Sequence, residues 1–308
     1  MGRQKSKNMK AGAIAIMICG LLIMTFLSGC TEEPKEPEVK NIVETASANA
    51  DFETLVSAVV AANLATTLSD EQAQFTVFAP TDAAFAALDP AFLNNLVNND
   101  TANLTKILTY HVVSGKVMSS SLTNDMRVKT VQGKYITIKI ENGKVYVDNA
   151  MVTTADIVCS NGVIHVINAV IVPKDNIVET AIKNADFETL VSAVVAANLA
   201  TTLSNEEAQF TVFAPTDAAF AALDPVFLNN LVRNDTANLT KILTYHVVSG
   251  KVMSSGLSNG MRVKTVQGTN ITITINNGKV YVNDAMVTLA DIECSNGVIH
   301  VINKVIVP

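Results

Sequence analysis

An α+β protein built twice is what this 308-residue sequence predicts, and three observations predict it. The chain repeats itself at an offset of 135, with residues 41–173 matching 176–308 at about 115 of 133 positions. Within each copy, apolar residues recur first at helical spacing and later in strict alternation. The alternating part is punctuated by two Asn-Gly pairs, the strongest short-range signal for a chain reversal between strands. A period of 135 is far longer than the about 20–50 residues of stacked repeats and close to the size of an ordinary domain. The copies therefore read as two tandem globular domains, 41–173 and 174–308. The join "VIVPKDNIVE" leaves only Lys174 to Asn176 between them, a link short enough to restrict their relative orientation.

In "DFETLVSAVVAANL" the residues Phe52, Leu55, Val56, Val59 and Val60 fall on one helical face, with Asp51 available as the N-cap. Phe75, Val77 and Phe78 then read as a short strand stopped by Pro80, with Thr81 or Asp82 placed to cap the helix "AAFAALD". More helix follows in "PAFLNNLV" and "ANLTKILTYHV". The period then changes: Ile136, Ile138 and Ile140 alternate with polar residues, Asn142-Gly143 turns the chain, and Val145 and Val147 continue the alternation. That is a hairpin half buried on one face. Asn161-Gly162 precedes "VIHVINAVIVP", almost wholly apolar and thus a buried strand. Helices first and sheet later is an α+β order.

Residues 1–29 stand outside this pattern. "MGRQKSKNMK" carries four positive charges and no acid, 17 uncharged residues follow, and "LSGC" closes the segment. This is a secretory signal, and Leu27-Ser28-Gly29-Cys30 resembles the lipobox of prokaryotic lipoproteins, which makes Cys30 the lipidation site. The alternative is an uncleaved membrane helix at the lower limit of a span. Either reading exports the domains, to the outer side of the cell membrane or to an outer membrane where the host has one. Residues 30–40 form an acidic, proline-containing spacer. Without residues 1–29 the chain loses four of its 22 Lys and Arg and none of its 28 acids, leaving a charge of −10; nucleic acid is excluded as a partner. Only Cys159 and its copy Cys294 remain within the domains. One thiol per domain cannot staple a domain internally, so each reads as a small buried hydrophobe rather than a bridge between the copies.

"FTVFAPTDAAF", the pair Tyr110-His111 in "KILTYHVVSGKV", and "SNGVIHVINAVIVP" resemble the two signature blocks and central Tyr-His of the fasciclin (FAS1) domain. All three recur in order at 210–220, Tyr245-His246 and 295–308. The resemblance implies a mixed β-sheet wedge with helices packed around it, and a role in cell-surface or matrix adhesion. It also implies partner contacts at Tyr110, His111, Asp156 and Ile157, and again at Tyr245, His246, Asp291 and Ile292. Asn168 and Asn303 depart from the acid that the family often has at this position. Where the copies differ, as at Tyr135/Asn270 and Lys139/Thr274, the changes fall on the polar register of the hairpin and read as surface drift after duplication.

Chemistry has little to stand on. Each domain holds two histidines 54 residues apart, such as His111 and His165, and there is no paired Cys or phosphate loop. Ser160 would need a base within hydrogen-bond reach to act as a nucleophile. His165, inside an apolar strand, reads as a hydrogen-bonded core residue, and Asp156 as a turn-capping carboxylate beside its family-implied role. No catalytic residue, metal site or cofactor is expected. The expected function is a non-enzymatic adhesion or protein-interaction module, with a surface or matrix protein or an envelope polymer as partner and two domains raising avidity. A binder of a small apolar ligand, lipid or pigment, is the alternative, and a saccharide binder is less favoured because Trp is absent and aromatics are 5%. Five sequons, at Asn99, Asn103, Asn234, Asn238 and Asn270, are open to glycosylation in a host that performs it.

Overall fold

Asn41 starts the fold in the computed structural model, which describes residues 38–308. Its side chain accepts from Glu44 N–H at 2.9 Å while the Glu44 carboxylate accepts from Asn41 N–H at 3.0 Å, a reciprocal cap on α1 (Ile42–Ser47). Helices α2 (Glu53–Ala61) and α3 (Ala65–Leu68) lead into β1 (Phe75–Pro80). Then come α4 (Asp82–Ala86), α5 (Pro90–Asn98), α6 (Thr101–Tyr110) and β2 (Val112–Ser114). The strands β3 (Arg127–Lys129), β4 (Tyr135–Glu141), β5 (Lys144–Val147), β6 (Ala150–Cys159) and β7 (Gly162–Ile167) complete the domain. The second copy repeats the set, from α7 (Ile177–Ile182) to α12 (Thr236–Tyr245) and from β8 (Phe210–Pro215) to β14 (Gly297–Ile302). Residues Val39–Pro308 close into one compact unit. The signal segment, Cys30 and most of the spacer lie outside the described residues, and no described helix is long and apolar enough to cross a membrane.

Each domain is a seven-stranded mixed sheet in the order β2-β1-β7-β6-β5-β4-β3. Every neighbour pair is antiparallel except β1 with β7, where Val77 faces Ile164 in a parallel register. The first and last signature blocks are therefore adjacent interior strands, next to the β2 edge of the sheet. A period of two sorts their side chains. Val77, Ala79, Ile164 and Val166 face the helices and pack with Phe52, Leu55, Leu104 and Leu108. Phe78 and Ile167 point the other way and join Tyr110, Ile136, Ile138 and Val147. Strand β7 is buried on both faces throughout, as its almost wholly apolar run predicts.

At Gly162 the strands β7 and β1 leave no room for a side chain. A Cβ there would sit 1.9 Å from the Phe75 carbonyl oxygen, and its φ is +153°. Beside it, the fully buried Asn161 accepts from Ile42 N–H at 2.9 Å and donates to the Leu68 carbonyl at 2.8 Å, tying α1 and α3 to the sheet. The predicted hairpin turn forms at Asn142-Gly143, both with positive φ (51° and 74°).

Two local expectations need correction, the cap at Asp51 and the burial of Val60 and Ile140, and the alternative between Thr81 and Asp82 is resolved. Asp51 does not cap α2: residues Ala50–Phe52 form a 3-10 turn capped by Asn49, and the helix starts at Glu53. Its free amides are met from 28 residues away, by Asp82, whose carboxylate accepts from Thr54 N–H at 2.7 Å and Glu53 N–H at 3.2 Å. Thr81 is the residue that caps α4, accepting from Ala84 N–H at 3.3 Å. Val60 and Ile140 are 59% and 39% exposed: Val60 lies off the buried stripe of Leu55, Ala58, Val59 and Ala62, and Ile140 lies toward the tip of the hairpin.

Candidate functional site

Helix α6 ends on the Tyr-His pair, and both rings turn inward. His111 is 1% exposed; its Nδ1–H donates to the Ile107 carbonyl at 2.8 Å and its Nε2 accepts from Ile171 N–H at 3.1 Å. One ring thus satisfies a last-turn carbonyl of α6 and pins the segment that follows β7. Full burial holds its pKa down at about 4, so it is neutral. His246 repeats the arrangement with Ile242 and Ile306, again with a pKa of about 4. His165 donates from Nε2 to the Val117 carbonyl at 2.9 Å, accepts at Nδ1 from Asp156 N–H at 3.2 Å, and stacks on Phe78. Both nitrogens of every histidine are engaged, so none is placed to act as a general base.

Tyr110 is 3% exposed and reaches across the sheet to donate to Asp148 at 2.8 Å, with the Tyr135 carbonyl at 3.1 Å. Burial and the adjoining carboxylate push its phenol well above the usual tyrosine range. In the second domain Asn283 replaces Asp148, and the bond reverses: Asn283 Nδ2 donates to Tyr245 at 3.0 Å. Asp156 sits in the bulge of β6 with φ +61°, a conformation that Asp tolerates better than most residues. Its carboxylate accepts from both the N–H and the hydroxyl of Ser119, and these bonds hold its pKa below the usual carboxylate range. Asp291 does the same for Ser254. Ile157 and Ile292 pack partly buried against the helical cores. Each set of four residues is thus spread over the end of one helix and one strand bulge rather than gathered into a pocket. Asn168, the departure from the family pattern, accepts from Met151 N–H at 2.8 Å and so joins β6 to the end of β7.

The remaining candidates are dispersed. Ser160 donates its hydroxyl to Glu71 at 2.9 Å, away from both histidines of its domain. Cys159 and Cys294 are separate, buried thiols, raised in pKa by that burial. All five sequon asparagines are exposed. Among the described residues, no three His, Cys, Asp or Glu side chains gather as a metal would require.

A site that the sequence reading missed lies where the copies meet. Around β3 the first domain presents Arg127, Lys129 and Lys134, and the second answers with acids. Lys134 Nζ lies 2.8 Å from Glu179 and 3.9 Å from Glu206, and Lys129 lies 3.0 Å from Glu207. Arg127 donates to the Glu206 carbonyl at 3.1 Å while its guanidinium lies 4.5 Å above the Tyr135 ring. The link itself takes part: the Lys174 carbonyl accepts from Lys134 at 2.7 Å, and its ammonium pairs with Glu293 at 2.8 Å. Lys251 reaches the same carboxylate at 3.0 Å, and the two lysines hold Glu293 down at about 2. The available signal was the list of differences between the copies, since Tyr135, Lys134 and Glu207 stand where the partner copy has Asn270, Thr269 and Gln72.

The family model described as the fasciclin domain matches twice, over residues 50–173 and 185–308. The rabbit (Oryctolagus cuniculus) transforming growth factor-beta-induced protein ig-h3 is 31% identical over 239 residues, 76% of this chain and 35% of that protein. The Synechocystis protein sll1483 is 49% identical over 133 residues, 43% of this chain and 73% of that one. A solved FAS1 domain pair from the insect cell adhesion molecule Fasciclin I is 21% identical, covers 85% of this chain and 98% of that one, and superposes with a TM-score of 0.42. The chain spans about a third of the length of the ig-h3 proteins it matches. With the family model matched in both halves, and its signature blocks forming the parallel strand pair of both sheets, the chain belongs to the fasciclin (FAS1) domain family and carries two copies of the domain.

Proposed function

We propose that the chain is a non-enzymatic cell-surface adhesion or protein-interaction module, exported and held to a membrane through lipid on Cys30, with a surface or matrix protein or an envelope polymer as partner. The observation that carries this reading is the duplication within one compact unit. Two domains that share about 115 of 133 residues are joined by a short link and a set of ion pairs into one compact unit. Every outward feature common to both is thus offered twice at a fixed displacement, which raises avidity without any new contact. The histidines support the same reading, because their nitrogens serve the fold rather than a reaction. Deleting the gene from its host is expected to reduce attachment or aggregation of the cells, with recovery by the two-domain chain. Unchanged attachment and envelope integrity would remove the adhesion reading. Cys30→Ala is expected to release the protein from the membrane fraction; retention at unchanged size would mean an uncleaved helix instead.

One observation favours a second reading, a small apolar ligand. Between α7, the helix after it and the central strands of the second domain lies a cavity of about 140 Å³, lined almost entirely by aliphatic side chains such as Ile177, Leu190, Val194 and Ile299. Apolar cavities of about 150 Å³ stay dry and accept small apolar molecules. Native mass spectrometry of residues 31–308 purified from the host decides between the readings: extra mass that leaves on unfolding supports the ligand, and a bare polypeptide mass leaves adhesion.

A further inference from the structure

The contact between the two domains is head to tail: the β3 ridge of the first meets a different surface, the α7 and Glu206 region, of the second. Such heterologous contacts do not close on themselves. A chain that offers both surfaces unpaired adds further copies and grows into an open filament. This chain has one unpaired copy of each. The ridge recurs around β10 (Arg262–Lys264) of the second domain, and the acidic surface recurs around Glu44 and Glu71 of the first.

We propose that the ridge is a docking surface for one partner only, the acidic surface of the second domain in the same chain, and that the two unpaired copies are altered so that a second chain is not accepted. Transferring the native contacts by the 135-residue offset shows the alteration. Lys134 corresponds to Thr269, so its pairs with Glu179 and Glu206 have no counterpart between chains. Lys129 is kept as Lys264, but its partner Glu207 corresponds to Gln72. None of the three ion pairs between the domains survives. Tyr135, the shelf under Arg127, corresponds to Asn270.

Burial makes the loss decisive. Docking leaves the Glu206 side chain 16% exposed beside a Lys134 that is 13% exposed, and one Glu206 oxygen has no hydrogen-bond partner. The Ser295 hydroxyl, which donates to the other oxygen at 2.7 Å, and the Lys134 and Arg127 cations compensate that charge, and of these the copies lack only the lysine. A second chain docking on the first domain would bury Glu71 in the same way opposite Thr269, leaving Arg262 but no lysine to offset its desolvation. The contact is tolerated inside the chain, where Lys134 faces Glu206 and the link supplies a high effective concentration, and rejected between chains.

The test restores the missing groups with residues the sister copy already carries in the same backbone setting. Sedimentation equilibrium of residues 31–308 is run up to ~1 mM, the concentration that a short link mimics. The native chain and Gln72→Glu alone are expected to stay monomeric. Thr269→Lys with Asn270→Tyr regains the Lys–Glu44 and Lys–Glu71 pairs and associates weakly. The triple variant with Gln72→Glu associates most strongly, its average mass at least doubling at the top concentration and returning to monomer in ~1 M salt. A triple variant that stays monomeric overturns the proposal. So does a native chain whose mass rises with concentration and falls back on Arg262→Glu with Lys264→Glu.

Discussion

Lys134 of the first domain lies 2.8 Å from Glu179 of the second, and the same Glu179 carboxylate closes the N-terminal cap of α7 by accepting from Asn176 N–H at 2.8 Å. One carboxylate therefore both starts the second domain and receives the cation of the first. Formation of that helix and docking of the domains are coupled through it.

Lys134→Ala should break the coupling. It strands Glu206, whose carboxyl is already raised above its usual pKa by burial, and removes the donor to the Lys174 carbonyl. The expected loss is about 2–3 kcal/mol, below the about 3–5 kcal/mol of a fully buried pair because Glu179 stays partly exposed. Calorimetry should show one unfolding transition in the native chain and two in the variant. Thr269→Lys, at the corresponding position of the second domain, should leave the single transition intact.

Acid should weaken the fold through His111 and His246 before most carboxylates titrate. Each has a folded pKa of about 4 against an unfolded value near 6.5. Above pH 6.5 both states are neutral and the stabilisation is complete. As pH falls from 6.5 to 4, the unfolded chain takes up protons that the folded chain refuses, and stability drops. At about 1.4 kcal/mol per pKa unit the loss approaches ~3 kcal/mol per domain. Urea midpoints at pH 7, 6 and 5 measure the slope. The double variant His111→Leu with His246→Leu should be less stable at pH 7 yet nearly flat over this window.

Glu293 acts in a lower window. Lys174 and Lys251 depress its folded pKa to about 2 from a usual value near 4.5. Its contribution is present above pH 4.5 and is lost as pH falls toward 2. Glu293→Val, the residue of the sister copy at Val158, should remove that part of the acid sensitivity while leaving the histidine slope unchanged.

Much of this architecture was legible because local signals agreed. The alternation at Ile136 and Ile138, the Asn142-Gly143 turn and the apolar run of β7 each specify an element without help from distant residues. Asp82 shows where that ends. Nothing near Glu53 announces that its amide is met by a carboxylate 29 positions on, so the nearest acid, Asp51, was the natural choice. The docking surface failed for another reason. Lysine, tyrosine and glutamate on a polar register look alike whether they face water or another domain, and a change from Tyr135 to Asn270 reads as drift until the partner surface is in view.

The parallel contact between the signature strands makes Gly162 intolerant. Gly162→Ala would place a carbon 1.9 Å from the Phe75 carbonyl oxygen, and the backbone of β1 would have to move. A loss above about 3 kcal/mol follows, or no soluble protein. Gly115→Ala has a φ of +90° but nothing within 4 Å, so strain alone applies and about 1–2 kcal/mol is expected. Chemical denaturation of the two variants separates the clash from the conformational strain.

The aliphatic cavities offer a paired comparison inside one chain. Ala79 and Ala214 occupy the same position in β1 and β8 and line corresponding spaces, but the first holds about 30 Å³ and the second about 140 Å³. Ala214→Val adds two carbons to empty space and is expected to stabilise by about 1 kcal/mol, since each buried methylene contributes about 0.8 kcal/mol. Ala79→Val adds the same two carbons where they do not fit, and overpacking should destabilise by about 1–3 kcal/mol. Opposite signs in thermal or urea unfolding would show that the two spaces differ in the folded protein. Equal signs would mean that the second domain relaxes around its cavity, which would also weaken it as the seat of an apolar ligand.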